Sequence, residues 1–451
     1  MHAYDADTAA LARAVLAYAE HRLSLQEVPL DGSKTLAQLQ AVAGATITPD
    51  GMGGIPALEL FRDELALACL STDHPRYLSF IPCAPTDASA LFDLVVGASS
   101  IYAGSWLEGS GAVFAENAAL RWIADLAGLP PEAGGVFVPG GTTGNLSALV
   151  TAREAARARH TGGRSTRPNK VAAQAAAHSS IAAMCKVMDA ELVGVPATAA
   201  WRLSGDQLRA VLEEQGPESF FAVVATAGTT NFGIVDDLHS VARVCREYGI
   251  WLHVDGAYGG AGLAAPSVRH LFRGIELADS FIVDPHKWLF APFDCCALLY
   301  RQPELARAAH TQHASYLDVL TGKPDWNPTD YAVGLTRRAR GLPFWFSLAA
   351  HGTRAYAEAI ERTLAVARFA ETEVTRRPYL EIVRHSDLSI VVFRRHGWTA
   401  ADYHRWSDRL LAQEYAFVVP TSHDGETLAR FAIVNPRTSE ADITAILDTM
   451  A

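Results

Sequence analysis

The 451-residue chain has few cysteines, and Cys69, Cys83, Cys185, Cys245, Cys295 and Cys296 form neither a CxxC pair nor a zinc-like spacing. A disulfide framework and a metal centre are both unexpected, and the six read as buried thiols of a reducing compartment. Base is scarce relative to acid, 38 Lys+Arg against 49 Asp+Glu, for a formal charge of −11. Nucleic-acid affinity rests on clustered Lys and Arg, so nucleic acid is not an expected partner. Long apolar runs are also missing. No window approaches the ~18 uninterrupted apolar residues that a membrane span needs. The opening Met-His-Ala-Tyr-Asp-Ala-Asp carries acid where a secretory leader carries base, with no apolar segment behind it. The expectation is a soluble, cytoplasmic protein that acts on a small molecule.

What the chain has is apolar bulk, 49% of its residues. A chain of this mass buries about three quarters of its unfolded surface and needs no crosslinks for stability. Ala9, Leu11, Ala12, Val15, Leu16 and Ala19 recur at helix spacing and predict a helical N-terminal arm over residues 1–75. Between 76 and 354 the pattern changes to short apolar runs, such as 136–138, 220–224, 251–254 and 280–283, alternating with helix-length segments. That alternation predicts an α/β domain whose mostly parallel sheet is covered on both faces. Its helices carry end signals: a capping box at Ser204–Gln207, Gly249 closing the helix from Leu238, and Pro343 in a first turn. Residues 355–451 read as a small α+β domain, with Asp424-Gly425 marking a hairpin.

Chemistry-bearing residues follow the predicted strands. Lys287, in Asp284-Pro285-His286-Lys287-Trp288, leaves the run 280–283 toward the crevice where open α/β sheets bind ligands. An amine reacts only when neutral, which requires its pKa to fall well below the lysine reference of about 10.4. Burial or conversion to an imine supplies that change; a surface lysine in a loop is the plainer alternative. Asp255, in His253-Val254-Asp255-Gly256-Ala257-Tyr258, ends another apolar run. A buried Asp needs a cationic partner, and the protonated ring nitrogen of pyridoxal phosphate is one. Ala257 is small enough to lie against a flat ring. The turn Gly140-Gly141-Thr142-Thr143-Gly144-Asn145 opens a helix whose free N–H groups suit a phosphate dianion, although it matches neither common nucleotide-binding glycine fingerprint. His178, in Ala177-His178-Ser179-Ser180, starts a helix where its ring can stack on a planar group. Thr226, in Ala225-Thr226-Ala227-Gly228-Thr229-Thr230, ends a further strand.

These five motifs, in this order, resemble the pyridoxal-phosphate-dependent decarboxylases of the aromatic amino acid and glutamate decarboxylase group. The resemblance runs from about His74 to Gly352. It implies the fold-type I architecture: a seven-stranded, mostly parallel sheet in a large domain, a small C-terminal domain, and a homodimer with active sites at the interface. It further implies that Lys287 carries the cofactor, Asp255 pairs with the pyridine nitrogen, and Ala257 and His178 flank the ring. Thr142 and Thr143 would hold the phosphate, with Thr226 near His178 and His286 beside the linkage to the cofactor. Tyr316 matches a tyrosine on the family's mobile loop that protonates the substrate α-carbon, and Thr321 to Asp330 has the composition of a lid. The chain departs from the family in carrying Asp284 where Asn is common, so a phosphate contact there is not expected. Gly104 stands where aromatic-substrate members tend to carry a bulky residue.

The implied reaction is α-decarboxylation of an L-amino acid, with Phe80, Pro82, Tyr102 and Trp106 as residues of an apolar substrate pocket or of dimer packing. Alternatives on the same scaffold are an oxygen-using aldehyde synthase, an aminotransferase or another lyase. Tyr316 and His178, of which synthases often lose one, favour the decarboxylase. A silent binding protein would not be expected to keep Lys287, Asp255, His178 and Tyr316 together.

Overall fold

A computed structural model describes residues 2–159, 168–315 and 325–451. The apolar runs become strands β1 (Gly134–Val138), β2 (Lys170–Gln174), β3 (Glu191–Val195), β4 (Phe220–Thr226), β5 (Trp251–Asp255), β6 (Ser280–Val283) and β7 (Cys296–Tyr300). They form one sheet of order β1-β7-β6-β5-β4-β2-β3. Only β7 runs antiparallel to its neighbours, β1 and β6. Every residue of β4, β5, β6 and β7 is buried, because both faces of the sheet are covered. Strand alternation sorts the side chains between two cores: Val136 and Val138 point into one, Phe137 into the other.

The helix Gly141–Arg159 follows β1 and packs Ala148, Leu149 and Ala152 under the sheet. The helix Leu238–Tyr248 stops at Gly249, whose φ of +67° is the left-handed conformation anticipated there. Pro343 lies in the first turn of the helix Leu342–His351. Ser204 does precede the helix Gly205–Gln215, but its hydroxyl pairs with the Gln207 side chain and makes no bond to the helix backbone.

A second sheet contains β8 (Leu380–Arg384), β9 (Ile390–Arg395), β10 (Thr421–His423) and β11 (Glu426–Ala432), in the order β10-β11-β9-β8 and antiparallel throughout. Asp424 (φ +48°) and Gly425 (φ +81°) make the two-residue turn between β10 and β11, which requires positive φ at both positions. Ile390, Val392 and Leu428 of this sheet belong to the core of the larger one. The segment around Leu78 joins the smaller sheet's side of the chain, its N–H donating to Phe417 O and its carbonyl accepting from Ala432 N.

The N-terminal stripe forms the helix Ala6–Ser24, followed by the helices Leu36–Ala43 and Gly54–Leu60, and none of the three buries a residue. Cys69, expected to be buried, is exposed just beyond these helices, where the chain supplies no covering layer; the other five thiols are buried and all six are free. Among the described residues, no helix is long and apolar enough to cross a membrane and no side-chain cluster is suited to a metal ion.

Candidate active site

The parallel strands end along one edge of the large sheet, and a cleft of about 260 Å³ opens there. β1 leads into Gly140–Asn145, β2 into His178, and β6 into Asp284–Lys287, while Thr226 and Asp255 are the last residues of β4 and β5. Gly140, Gly141, Thr142, Asn145, His178, Thr226, Asp255, Ala257, Asp284, His286 and Lys287 all line this cleft. Residues spread over nearly 150 positions of sequence meet because a parallel sheet brings every strand's carboxyl end to one side.

Asp255 is 4% exposed and is held by two donors: Ala257 N at 3.0 Å on Oδ1 and Asn145 Nδ2 at 3.0 Å on Oδ2. These two N–H donors fix the orientation of the carboxylate at the cleft. Thr226 is fixed from behind, its N–H donating to Asp236 Oδ2 at 2.7 Å. His178 caps the helix Ser179–Val187 through its own ring, with Nδ1 accepting from Ser180 N at 3.2 Å.

Lys287 Nζ lies 2.8 Å from Asp284 Oδ2, and the Asp284 side chain is 1% exposed. Burial pushes the lysine's pKa down, but the Asp284 carboxylate outweighs it and holds Lys287 above its ordinary value. Burial likewise raises Asp284, and Lys287 and His286 together outweigh it to hold Asp284 below the carboxylate range. The uncombined lysine is thus a paired ammonium; burial does not by itself deliver the neutral amine expected from the sequence. His286 Nδ1 sits against the Cys295 backbone, 2.7 Å from O and 3.0 Å from N, and burial depresses its pKa.

Other expected site residues lie elsewhere. Thr143 is on the helix after the glycine turn but does not line the cleft, and Phe80, Pro82, Tyr102 and Trp106 do not line it either. Phe80 is 60% exposed, with its ring 6.0 Å from that of Phe417. Pro82 is buried in the chain. Tyr102 donates to Leu335 O at 3.1 Å, and Trp106 N donates to Asn327 Oδ1 at 3.0 Å. The Tyr102 hydroxyl and the Trp106 backbone are thus both tied to the segment 327–338. A Cβ on Gly104 would meet the hydroxyl end of the Tyr102 side chain, so a larger residue there requires Tyr102 to move. Tyr316 and the first part of the expected lid, Thr321 to Pro324, lie outside the described residues. The rest of that segment is anchored: Asn327, Thr329 and Asp330 are buried, and Thr329 N donates to Gly104 O.

Two residues escaped the sequence reading. Asn145 stood inside the glycine motif, but its contact with Asp255 has no local signal. Arg430, on β11, is buried beside the cleft and donates to Thr230 O at 3.1 Å and Phe80 O at 3.0 Å. Its acceptors among the described residues are carbonyls, and burial lowers its pKa to about 10. Nothing in the C-terminal sequence marks it as a partner of Thr230, which lines the cleft.

The donor set suits pyridoxal phosphate. Lys287 offers the amine and Asp255 an anchored carboxylate for a ring cation. The start of the helix Gly141–Arg159 offers backbone N–H groups for a dianion. The glycine turn also leaves space: a Cβ on Gly141 would meet Asp284 Oδ2 at 3.2 Å and Ala257 Cβ at 3.3 Å. Residues 57–396 match the family model of the pyridoxal-dependent decarboxylase conserved domain. The chain is 30% identical over 345 residues to an aromatic-L-amino-acid decarboxylase of Mus musculus, covering 72% of this chain and 71% of the relative. It is 28% identical over 389 residues to one of Bacillus atrophaeus, covering 83% and 80%. Its fold superposes on a crystal structure of Oryza sativa TDC with PLP and tryptamine at a TM-score of 0.91 and 24% identity, over 100% of this chain and 99% of that one. The chain therefore belongs to the pyridoxal-dependent decarboxylase family and is an amino-acid decarboxylase whose cofactor is pyridoxal phosphate.

Proposed function

We propose that this decarboxylase acts on an L-amino acid with an aromatic or other apolar side chain, releasing the amine and CO₂. The observation that carries the site assignment is the convergence of Lys287 and Asp255 on one cleft at the strand ends. The side-chain preference draws support from the aromatic-L-amino-acid decarboxylases among the relatives.

When bound, pyridoxal phosphate supplies the electron sink for the bond pair left on the α-carbon. Lys287 is the residue that would attach it, and Asp284 holds the free amine at 2.8 Å. Asp255, pinned by Ala257 N and Asn145 Nδ2, places a fixed negative charge where a protonated ring nitrogen needs one. Such preorganised charge acts without reorganisation during the reaction. Thr142 and the helix start would bind the phosphate, Ala257 and His178 would bound the ring, and Thr226 and His286 would border it. Tyr316 returns a proton to the α-carbon after CO₂ leaves.

Among the described residues the apolar side chains lining the cleft are Pro139, Ala257 and Tyr258, which leaves the rest of an apolar wall for such a side chain to be supplied. We propose that a homodimer supplies it, bringing Phe80 and its neighbours to the interface. Leu91, Leu94 and Val95 on the helix Asp87–Ala98, with Leu107 and Phe114 on the helix Trp106–Leu126, are exposed, as is Leu16 of the arm. Apolar surface of that extent supports a protein interface. Six free thiols support a cytoplasmic setting.

The test is product analysis over the twenty amino acids with added pyridoxal phosphate, alongside Lys287→Ala. Amine and CO₂ in equal amounts from aromatic or aliphatic substrates, with no turnover and no cofactor-linked absorbance in the variant, is the expected result. Aldehyde, ammonia and peroxide as products, or full activity without Lys287, would overturn the reading.

A further inference from the structure

Asn145, which lines the cleft and pins Asp255, is backed by two further buried polar side chains that the reaction above does not use, His253 and Ser280; the three are exposed by 1%, 0% and 2%. They lie on one hydrogen-bonded path. Trp251 Nε1 is 2.8 Å from Ser280 Oγ, which is 2.8 Å from His253 Nδ1. His253 Nε2 is 2.8 Å from Asn145 Oδ1, and Asn145 Nδ2 is 3.0 Å from both Asp255 Oδ2 and Ser180 Oγ. Ser180 Oγ is in turn 2.9 Å from His178 Nδ1. Sheet register builds the path: His253 stands opposite Ser280 across β5 and β6, and Asp255, two residues on, faces the same side.

Counting donors gives every bond a direction. Asn145 has to present Nδ2 to Asp255, since a flipped amide would set oxygen against a carboxylate oxygen at 3.0 Å. Its Oδ1 then faces His253, so Nε2 of that ring carries the proton. Burial pushes the His253 pKa down to about 4, which agrees with a ring holding one proton. His253 Nδ1 is then an acceptor for the Ser280 hydroxyl, and Ser280 accepts from Trp251, whose indole N–H can only donate. At the other end, Ser180 accepts from Asn145 and donates to His178 Nδ1. The backbone N–H of Ser180 also points at that nitrogen, at 3.2 Å. His178 Nδ1 is therefore an acceptor, and its ring proton resides on Nε2.

We propose that Asn145 is a positioning residue that joins Asp255 to His178. Its amide sets the rotamer of the carboxylate and, by donating to Ser180 Oγ, aims that hydroxyl at His178 Nδ1, reinforcing the Nε2–H tautomer that the Ser180 backbone N–H also favours. His253, Ser280 and Trp251 lock the amide against a flip. One buried side chain thereby orients two groups of the cleft that are far apart in sequence. Leucine at 145 would preserve volume but strand His253 Nε2–H and one oxygen of Asp255 without partners.

This inference rests on the reading of Asp255 as the residue facing the cofactor ring, and two measurements separate them. Neutron diffraction of deuterium-exchanged holoenzyme crystals should show a deuteron on Nε2 and none on Nδ1 in both His253 and His178; a deuteron on Nδ1 of either ring overturns the proposal. Asn145→Leu and Asn145→Asp should each weaken pyridoxal phosphate binding by about tenfold or more in equilibrium dialysis, the scale expected when a bond to a charged group is lost. Both should also displace the pH at which the bound cofactor's visible absorbance changes. An Asn145→Leu protein with wild-type affinity and an unmoved absorbance transition would make Asn145 mere packing and overturn the proposal. If a variant fails to fold, the neutron result decides. Wild-type protein that binds no pyridoxal phosphate would sink the functional reading instead, while neutron data on that protein would still decide the tautomers.

Discussion

Replacing Glu116 by glutamine should destabilise the protein by about 3–5 kcal/mol, the usual cost of stranding one member of a buried ion pair. The side chains of Glu116 and Arg337 are 3% and 7% exposed. Glu116 Oε2 accepts from Arg337 Nη1 at 2.7 Å, and Oε1 accepts from Nη2 at 3.0 Å and from Gly341 N at 2.8 Å. Glutamine keeps one acceptor oxygen, but its amide N–H₂ would then face Nη1 donor to donor, and the guanidinium loses its counter-charge. With an unfolding entropy of about 2.1 cal/mol/K per residue, that loss lowers Tm by roughly 3–5 °C for a chain of 451 residues. The effect should reach the cleft, because Arg337 also donates to Phe137 O on β1, shortly before the glycine turn, at 3.1 Å. Pyridoxal phosphate affinity should fall together with stability. Calorimetry and urea denaturation of Glu116→Gln, Arg337→Met and the Glu116→Leu/Arg337→Met double variant supply the measurement. An apolar pair should recover most of the loss. A single variant within about 1 kcal/mol of wild type, or a double variant as unstable as the two singles summed, would refute the reasoning.

Asp284→Asn tests the electrostatics of the lysine. The carboxylate holds free Lys287 protonated, so its removal lowers the lysine's pKa and moves the pH dependence of cofactor loading to lower pH. It also removes negative charge beside the phosphate's glycine turn; apoenzyme loading at neutral pH should be faster than wild type, and equal or slower loading would contradict this. Phe114 is 67% exposed. Phe114→Asp should convert a dimer to a monomer by light scattering coupled to size exclusion, and a wild-type monomer or an unchanged dimer would remove the interface from consideration. In native protein at most one of the six thiols, Cys69, should react rapidly with an aromatic disulfide reagent, the remainder reacting on unfolding. Two or more fast thiols would contradict the burial of the other five.

Much of this protein is written locally. The mostly apolar runs of β4, β5 and β6 announce strands buried on both faces, and Asp255 and Lys287 are legible because each stands at or just past the end of such a run. Gly249 and Asp424-Gly425 declare a helix stop and a hairpin, since the conformations they adopt are costly for most other residues. These signals survive in sequence because burial on a strand and the backbone angles of a turn depend on the nearest few residues. What only the tertiary structure decided are the meetings between distant segments. The Asn145 amide lies against Asp255 and His253 because sheet order places the helix after β1 over β5. Arg430 approaches the cleft because β11 packs beside Leu78 and Phe80. Tyr102 hydrogen-bonds to Leu335 and the Trp106 backbone to Asn327, contacts that no local pattern announces, and the N-terminal helix is covered only in part, Leu11 lying beside Gly54 and Tyr18 against Phe61. Periodicity states that a side chain will be buried or presented; which partner it meets is set by strand order and layer packing, and these are properties of the whole chain.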